Sequence, residues 1–390
     1  MNGKRSILSL TLENFLSYGS PAPEIELLPL NVLIGPNASG KSNLIEALVM
    51  LRAAQGDFDA AIREGGGAGE YLRKNSAADG FWVEARVSNP SDESILDYSI
   101  NVEPRDFRPY VKFEEIVRIV DPAGVVLYTQ DDGDAAIVRR GGLPSAPPVR
   151  VPGLSREQSI LSQRRDPELY PELTYLAGLF GRISVFREWR FGSRTKARAP
   201  QPADLPVDFL LPDASNLALV LNDMLQRSSI RSRLLGFLQR FYAGAQHISV
   251  KLYAGTAQLF IEEAQDVLVP ATRLSDGTLR YLSLLAILCH PSPPPIVCIE
   301  EPELGLHPDI LPTIAELLLD ASQRTQLIVT THSDALVSAL SEVPESIVVC
   351  EPSDEGTQLR RLDKEALSEW LNRYSLGEIW RMGEIGGTRW

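Results

Sequence analysis

The chain has 390 residues, 44% hydrophobic and 23% charged, with a net charge of −13. That is the balance of a globular protein long enough to bury a large core in one or two domains. It excludes a protein that coats nucleic acid by overall charge, which carries the opposite sign.

Three cysteines, Cys289, Cys298 and Cys350, form no CxxC or CxxxC pair. This argues against a disulfide framework or a zinc site and fits a reducing cytoplasm, with packed thiols as the simplest reading. No run approaches the ~18 apolar residues of a membrane span. The opening MNGKRSILSLTLENF lacks the apolar core and cleavage site of a secretory leader. A cytoplasmic protein without membrane contact is expected.

In chain order, the patterning predicts strands over 7–14, 24–28 and 31–35, then a helix over 42–51 from the spacing of Leu44, Ile45, Leu48, Val49 and Leu51. From about Gly80 to Arg140 it turns to β, in GFWVEARVS, ILDYSINVE, YVKFEEIVRIV and VVLYTQ, with turn signals such as DDGD at 131–134. The Pro-rich 142–153 reads as a surface connection. Residues 155–245 read as mostly helical, broken by a strand at 183–187 and an irregular segment at 199–212. The chain then alternates: strand 247–253, helix after Ser275, strand 296–300, helix from Pro308, strand 326–331, helix from Ser333, strand 346–350. Such alternation predicts an α/β fold around a parallel sheet buried on both faces. DKEALSEWLNRY, 363–374, reads as a closing helix. Neither a 20–50-residue repeat nor a sustained heptad run is present.

Gly35, Pro36, Asn37, Ala38, Ser39, Gly40, Lys41 and Ser42 satisfy G-x-x-x-x-G-K-[ST] between an apolar strand and an amphipathic helix. In such a loop, successive backbone N–H groups cradle phosphate oxygens, and the helix N-terminus adds its dipole. Lys41 is expected to reach the β- and γ-phosphates of ATP, and the Ser42 hydroxyl to hold Mg²⁺. An ordinary Gly-rich turn would need none of this context.

Ile296-Val297-Cys298-Ile299 runs into Glu300-Glu301. Two acids at the end of a buried strand emerge at the carboxyl edge of the sheet, where α/β ligands sit. Glu300 is assigned to the Mg²⁺ shell and Glu301 to general-base or water-positioning work. Alone, the pair could be a solvated turn ahead of a helix. One strand later, Thr331-His332-Ser333 places His332 where it could sense the γ-phosphate.

With these in order, Leu274-Ser275-Asp276-Gly277-Thr278 resembles the signature loop of ABC-type ATPases. The array as a whole resembles the RecF/SMC branch of that family. LTLENFLSYG, GPNASGKSNLIEAL, EEPELGLHP and TTHS most resemble OLD-type and RecF-like members. The resemblance frames nearly all of residues 1–350. It implies an ABC-ATPase head, a P-loop NTPase fold, with a β-rich N-terminal lobe (1–140), a mainly helical insertion (150–245) and a C-terminal α/β lobe (246–390).

It also implies that Ser275 and Gly277 touch the γ-phosphate held by a second copy's loop, hence a homodimer with shared ATP sites. A glutamine near the metal is implied too, with Gln163 the candidate and Gln130 and Gln158 as competitors. Glu303 to His307 would form a dimer-contacting loop, although His307 also reads as a turn histidine before Pro308. Only 110 residues separate Gln163 from Leu274 and 58 follow His332. That is too short for long coiled-coil arms or a C-terminal nuclease, so an effector partner is expected to supply any further chemistry.

Between Arg182 and Arg198, six cations interleave with Phe186, Trp189 and Phe191. This suits a nucleic-acid strand or a phosphate-rich ligand; the alternatives are a surface segment paired with the protein's own carboxylates or a regulatory loop near ATP. The expected function is an ATP-gated, ATP-hydrolysing dimer in DNA maintenance or anti-phage defence. The alternative is an ATP-locked scaffold with little turnover.

Overall fold

A computed structural model describes residues 3–92, 94–120, 123–132, 134–137, 149–187 and 191–387. Gly133 of the DDGD turn, most of the Pro-rich connection, Trp189 and Arg190 lie outside the described residues.

Six strands build the central sheet, in the order Ile183–Phe186, Ile296–Glu300, Gln326–Thr330, Leu30–Ile34, Ile347–Ser353 and Gly356–Arg361. The first five are parallel, and the last returns antiparallel as a hairpin. Their near-continuous apolar runs follow from burial on both faces. Val297, Ile299, Leu327, Val329, Val32 and Ile34 enter one core, while the alternating Ile296, Cys298, Ile328, Leu33 and Val348 enter the other. The helices Leu217–Leu225, Asp276–Leu288 and Leu311–Ala321 cover the first face. The helices Lys41–Ala54 and Pro171–Gly181 cover the second. Truncating any of these buried aliphatics to Ala costs about 2–5 kcal/mol.

The second core also takes the inner face of an eight-stranded sheet, antiparallel throughout, that runs edge to edge from Ile25–Glu26, through Ile7–Glu13 beside it, to Val149–Arg150. A third, antiparallel sheet joins Gln201–Pro202, His247–Tyr253, Thr256–Glu263 and Val267–Pro270. Its last two strands were absent from the sequence expectation. Ala257, Leu259 and Ile261 alternate inward, and a tight Ala254-Gly255 turn with left-handed φ of 49° and 76° folds them back on the preceding strand.

The expected closing helix at 363–374 is corrected to a single turn, Ser368–Leu371. Ser375 and Glu378 form a capping box that starts a separate helix, Leu376–Arg381. Cys289, Cys298 and Cys350 are all buried, and burial pushes each thiol up to about 12. No helix among the described residues is long and apolar enough to cross a membrane.

Candidate functional site

The loop 35–42 leaves the carboxyl end of the strand Leu30–Ile34 and closes onto the helix Lys41–Ala54. Glycine is required at both ends of its bend. Gly35 has φ 147°, and a Cβ there would lie 2.2 Å from the carbonyl oxygen of Cys350. Gly40 has φ 93°, and its Cβ would lie 2.3 Å from Oγ1 of Thr357. Thr357 donates to Oγ of Ser17 at 2.7 Å, and Asn43 Nδ2 donates to the same oxygen at 2.7 Å. The edge hairpin and the N-terminal segment thus buttress the loop from behind. The Nζ of Lys41, largely buried, donates to the carbonyls of Gly35 (2.9 Å) and Pro36 (2.7 Å). It is held across the mouth of the loop. Asn37, Ala38 and Ser42 are exposed.

This cradle fits a nucleotide phosphate, with Lys41 as the cation and the Ser42 hydroxyl free to meet a phosphate-borne Mg²⁺. Among the described residues no set of three or more His, Cys, Asp or Glu forms a metal cage. Mg²⁺ carried on phosphates needs none, since it keeps waters and takes one or two protein ligands.

The acidic strand ends beside the loop. Glu300 pairs in register with Thr330, which pairs with Leu33. Glu301 adopts left-handed φ of 46°, an uncommon state for a non-glycine residue that persists where neighbours over-determine it. Here its N–H donates to Thr330 O at 2.9 Å, and its own carbonyl accepts from Arg280 Nη2 at 2.8 Å. Burial lowers the Arg280 guanidinium to about 10. His332 Nε2 lies 3.7 Å from Glu301 Oε1. The histidine's backbone N–H and the Thr331 hydroxyl both donate to Glu303 Oε1, at 2.9 and 2.7 Å. Ser333 caps the helix Asp334–Ser338 that follows.

Sequence reasoning gave Glu303 no role at the site beyond a dimer-contacting loop, and it missed Arg187 there altogether. Arg187 directly follows the strand Ile183–Phe186, whose parallel register pairs Phe186 with Ile299 and so brings Arg187 level with Glu300, the last residue of its own strand. Its Nε lies 3.1 Å from Glu300 Oε1, and its Nη1 pairs with Glu46. Burial pushes the Glu300 carboxyl above its ordinary range; Arg187 opposes this, while Glu46 and Glu301 add to it. The available signal was the position of Arg187 directly after an apolar strand, which a run of cations obscured.

Ser275 caps the helix Asp276–Leu288, its Oγ accepting from Thr278 N at 3.0 Å. A Cβ on Gly277 would stand 3.0 Å from Gly305 O. Ser275 is exposed, and its hydrogen bonds go to Thr278 rather than to the loop 35–42. The amide of Gln163 is engaged locally. Its Oε1 accepts from Ser155 N at 2.7 Å, and its Nε2 donates to the carbonyls of Ser155 and Gln158 at 3.0 Å each. Gln158 binds Phe58 N and Asp57, and Gln130 is buried against Tyr128 and Val111. None of these bonds reaches Glu300. His307 caps its own turn, beside Asp309. Within the cationic segment, Arg198 pairs with Asp276 and Lys196 with Asp213.

Residues 30–338 match the family described as "AAA domain, putative AbiEii toxin, Type IV TA system". No curated protein matches the chain. Among solved structures, the chain is similar to an Smc head bound to the C-terminal winged-helix domain of ScpA, with 16% identity and TM-score 0.60 over 93% of this chain and 99% of that one. It is also similar to an Smc head with an extended coiled coil, bound to the C-terminal domain of ScpA, from Pyrococcus furiosus (14%, TM-score 0.59, 94% and 98%). A third is an Smc head with a coiled coil and joint from Pyrococcus yayanosii (12%, TM-score 0.55, 94% and 99%). At these identities the likeness is one of fold, that of the ABC-ATPase head.

Proposed function

The chain belongs to this AAA-domain family, and from that premise we propose that it binds ATP with Mg²⁺ and hydrolyses it as an ATP-gated homodimer. One observation carries the reading. The loop 35–42, the Glu300–Glu301 pair and His332 leave three adjacent parallel strands at the same carboxyl edge. There His332 and Glu301 stand 3.7 Å apart.

In this reading the loop amides and Lys41 bind the phosphates, and Ser42 and Glu300 hold the metal, which screens charge on the phosphates. Glu301 orients and deprotonates water. His332, kept in place by Glu303, contacts the γ-phosphate. Gln163 remains a candidate for the metal-side glutamine only if its loop rearranges. Ser275 and Gly277 complete the partner's site.

The three-lobe division at 1–140, 150–245 and 246–390, a cytoplasmic location and an effector partner belong to the same proposal. So does a role in DNA maintenance or anti-phage defence. Smc heads seated on a ScpA domain support the idea of a protein partner, and the toxin–antitoxin wording of the family description supports control of an effector. The direct test is Mg²⁺-dependent phosphate release by the purified chain. No release by wild type under any Mg²⁺ concentration, with ATP demonstrably bound, would leave a nucleotide-locked scaffold instead.

A further inference from the structure

A cavity of about 960 Å³ opens beside the helix Lys41–Ala54. Among the described residues its wall carries Arg52, Arg187, Arg194 and Lys196 against one carboxylate, Asp213. Four cations on one concavity invert the local charge of a protein whose net charge is −13. Two of them are balanced: Lys196 by Asp213 at 2.8 Å, and Arg187 by Glu46 and Glu300. Arg52 and Arg194 have no ion pair among the described residues. Arg52 donates to Ile183 O at 3.5 Å. Burial, and to a lesser degree the charge of Arg187, hold its guanidinium below the ordinary range. The hydroxyls of Ser193 and Thr195 complete the wall. A second cavity of about 470 Å³, which includes Glu46, shares Arg52 and Arg187 with the first.

We propose that the larger cavity binds the phosphodiester backbone of a single nucleic-acid strand, and that Arg187 couples its occupancy to Glu300. Guanidinium groups and hydroxyls lining one wall suit phosphate oxygens, which bind and position without reading sequence. A single strand can enter a concavity of this size, whereas a duplex cannot. The acidic remainder of the protein disfavours broad contact with a duplex. A phosphate in the cavity competes with Glu300 for Arg187 and weakens that ion pair at the sheet edge. The coupling rests on the ATPase reading; the cavity does not.

The test uses the full chain, without nucleotide, and the fluorescence anisotropy of a labelled single strand of about 12 nucleotides. Wild type binds, and log affinity falls with log salt at a slope of about 0.7 for each phosphate neutralised. Arg194→Glu weakens binding at least about tenfold, because it reverses an exposed cation of the wall. Arg194→Lys keeps most of the affinity. Equal affinity of wild type and Arg194→Glu, or no binding by wild type, overturns the cavity. A duplex that binds as tightly, or tripolyphosphate competing at equal phosphate concentration, overturns the assignment to a strand. With ATP added, the strand changes phosphate release in wild type and leaves Arg194→Glu unaffected. A wild type that binds the strand but never releases phosphate keeps the cavity and overturns the ATPase reading and the coupling together.

Discussion

Arg187 bridges two carboxylates from different elements: its Nε lies 3.1 Å from Glu300 on the acidic strand, and its Nη1 pairs with Glu46 on the helix that follows the phosphate loop. All three side chains are mostly buried, so removing the cation takes a shared counter-charge away from two poorly hydrated carboxylates. Arg187→Ala should lower unfolding free energy by about 1–3 kcal/mol, less than for a fully buried pair. Arg187→Lys should recover only part of that, because a point charge cannot serve two directions as a planar fork does. Denaturant midpoints of the three chains measure both effects.

Lys41 is the cation placed at the mouth of the loop, where it already bonds two carbonyls. Lys41→Ala should weaken binding of a labelled ATP analogue by at least about tenfold, the loss of one or two charge-assisted bonds. Unchanged affinity would remove the loop from the nucleotide site.

Glu301→Gln should bind ATP normally and hold it, since size and polarity are kept while the base is lost. Size exclusion with ATP should then show a longer-lived dimer, with phosphate release slowed about 100-fold or more. Glu300→Gln should instead raise the Mg²⁺ concentration needed for binding. If Glu300→Gln traps ATP and Glu301→Gln turns over, the two roles are exchanged.

Ser275 is exposed and bonded within its own helix cap, as a group reserved for a second copy should be. Ser275→Arg and Lys41→Ala chains, each inactive alone, should regain activity on mixing, up to about half of wild type if one site works unaided, because both lesions fall in one of the two shared sites. Mixed dimers that form yet contain no competent nucleotide site, counted directly, would rule out sharing.

Glu114 is fully buried, its carboxylate accepting from the hydroxyls of Tyr98 and Ser159 and from Ile160 N. Burial raises it from 4.5 to about 7 against the pull of those donors. The fold therefore favours the protonated form, and this contribution to stability is lost as pH rises from the unfolded value to the folded one. The difference in unfolding free energy, wild type minus Glu114→Gln, should fall by about 3 kcal/mol between pH about 4.5 and about 8. A flat difference would mean that the carboxyl titrates normally.

What could be read in advance was whatever is local in sequence. The acidic strand was placed at 296–300 because four apolar residues stop at two acids, and the helix after His332 because Ser333 is a strong cap. What escaped depends on partners distant in sequence. Thr357 and Ser17, which wall in Gly40, are 340 residues apart. Arg187 looked like one more cation among six until the parallel register of its strand brought it beside Glu300. The motif around Glu303 points only to a dimer-contacting loop, and it is the adjacency of two strand ends that makes Glu303 the acceptor for Thr331 and His332.

The position of the strand Leu30–Ile34, between Gln326–Thr330 and Ile347–Ser353, has a consequence for how the protein is made. Leu30 pairs with Leu327, so the strand that carries the phosphate loop meets its first sheet neighbour only after almost 300 more residues have been synthesised. At about 5–20 residues per second that is a delay of roughly 15–60 s on the ribosome. Through that interval an apolar segment must be sheltered by the early antiparallel sheet or by a chaperone. The first motif to be translated is thus among the last to be assembled, and a nascent chain stalled before the edge hairpin has no finished cradle for ATP.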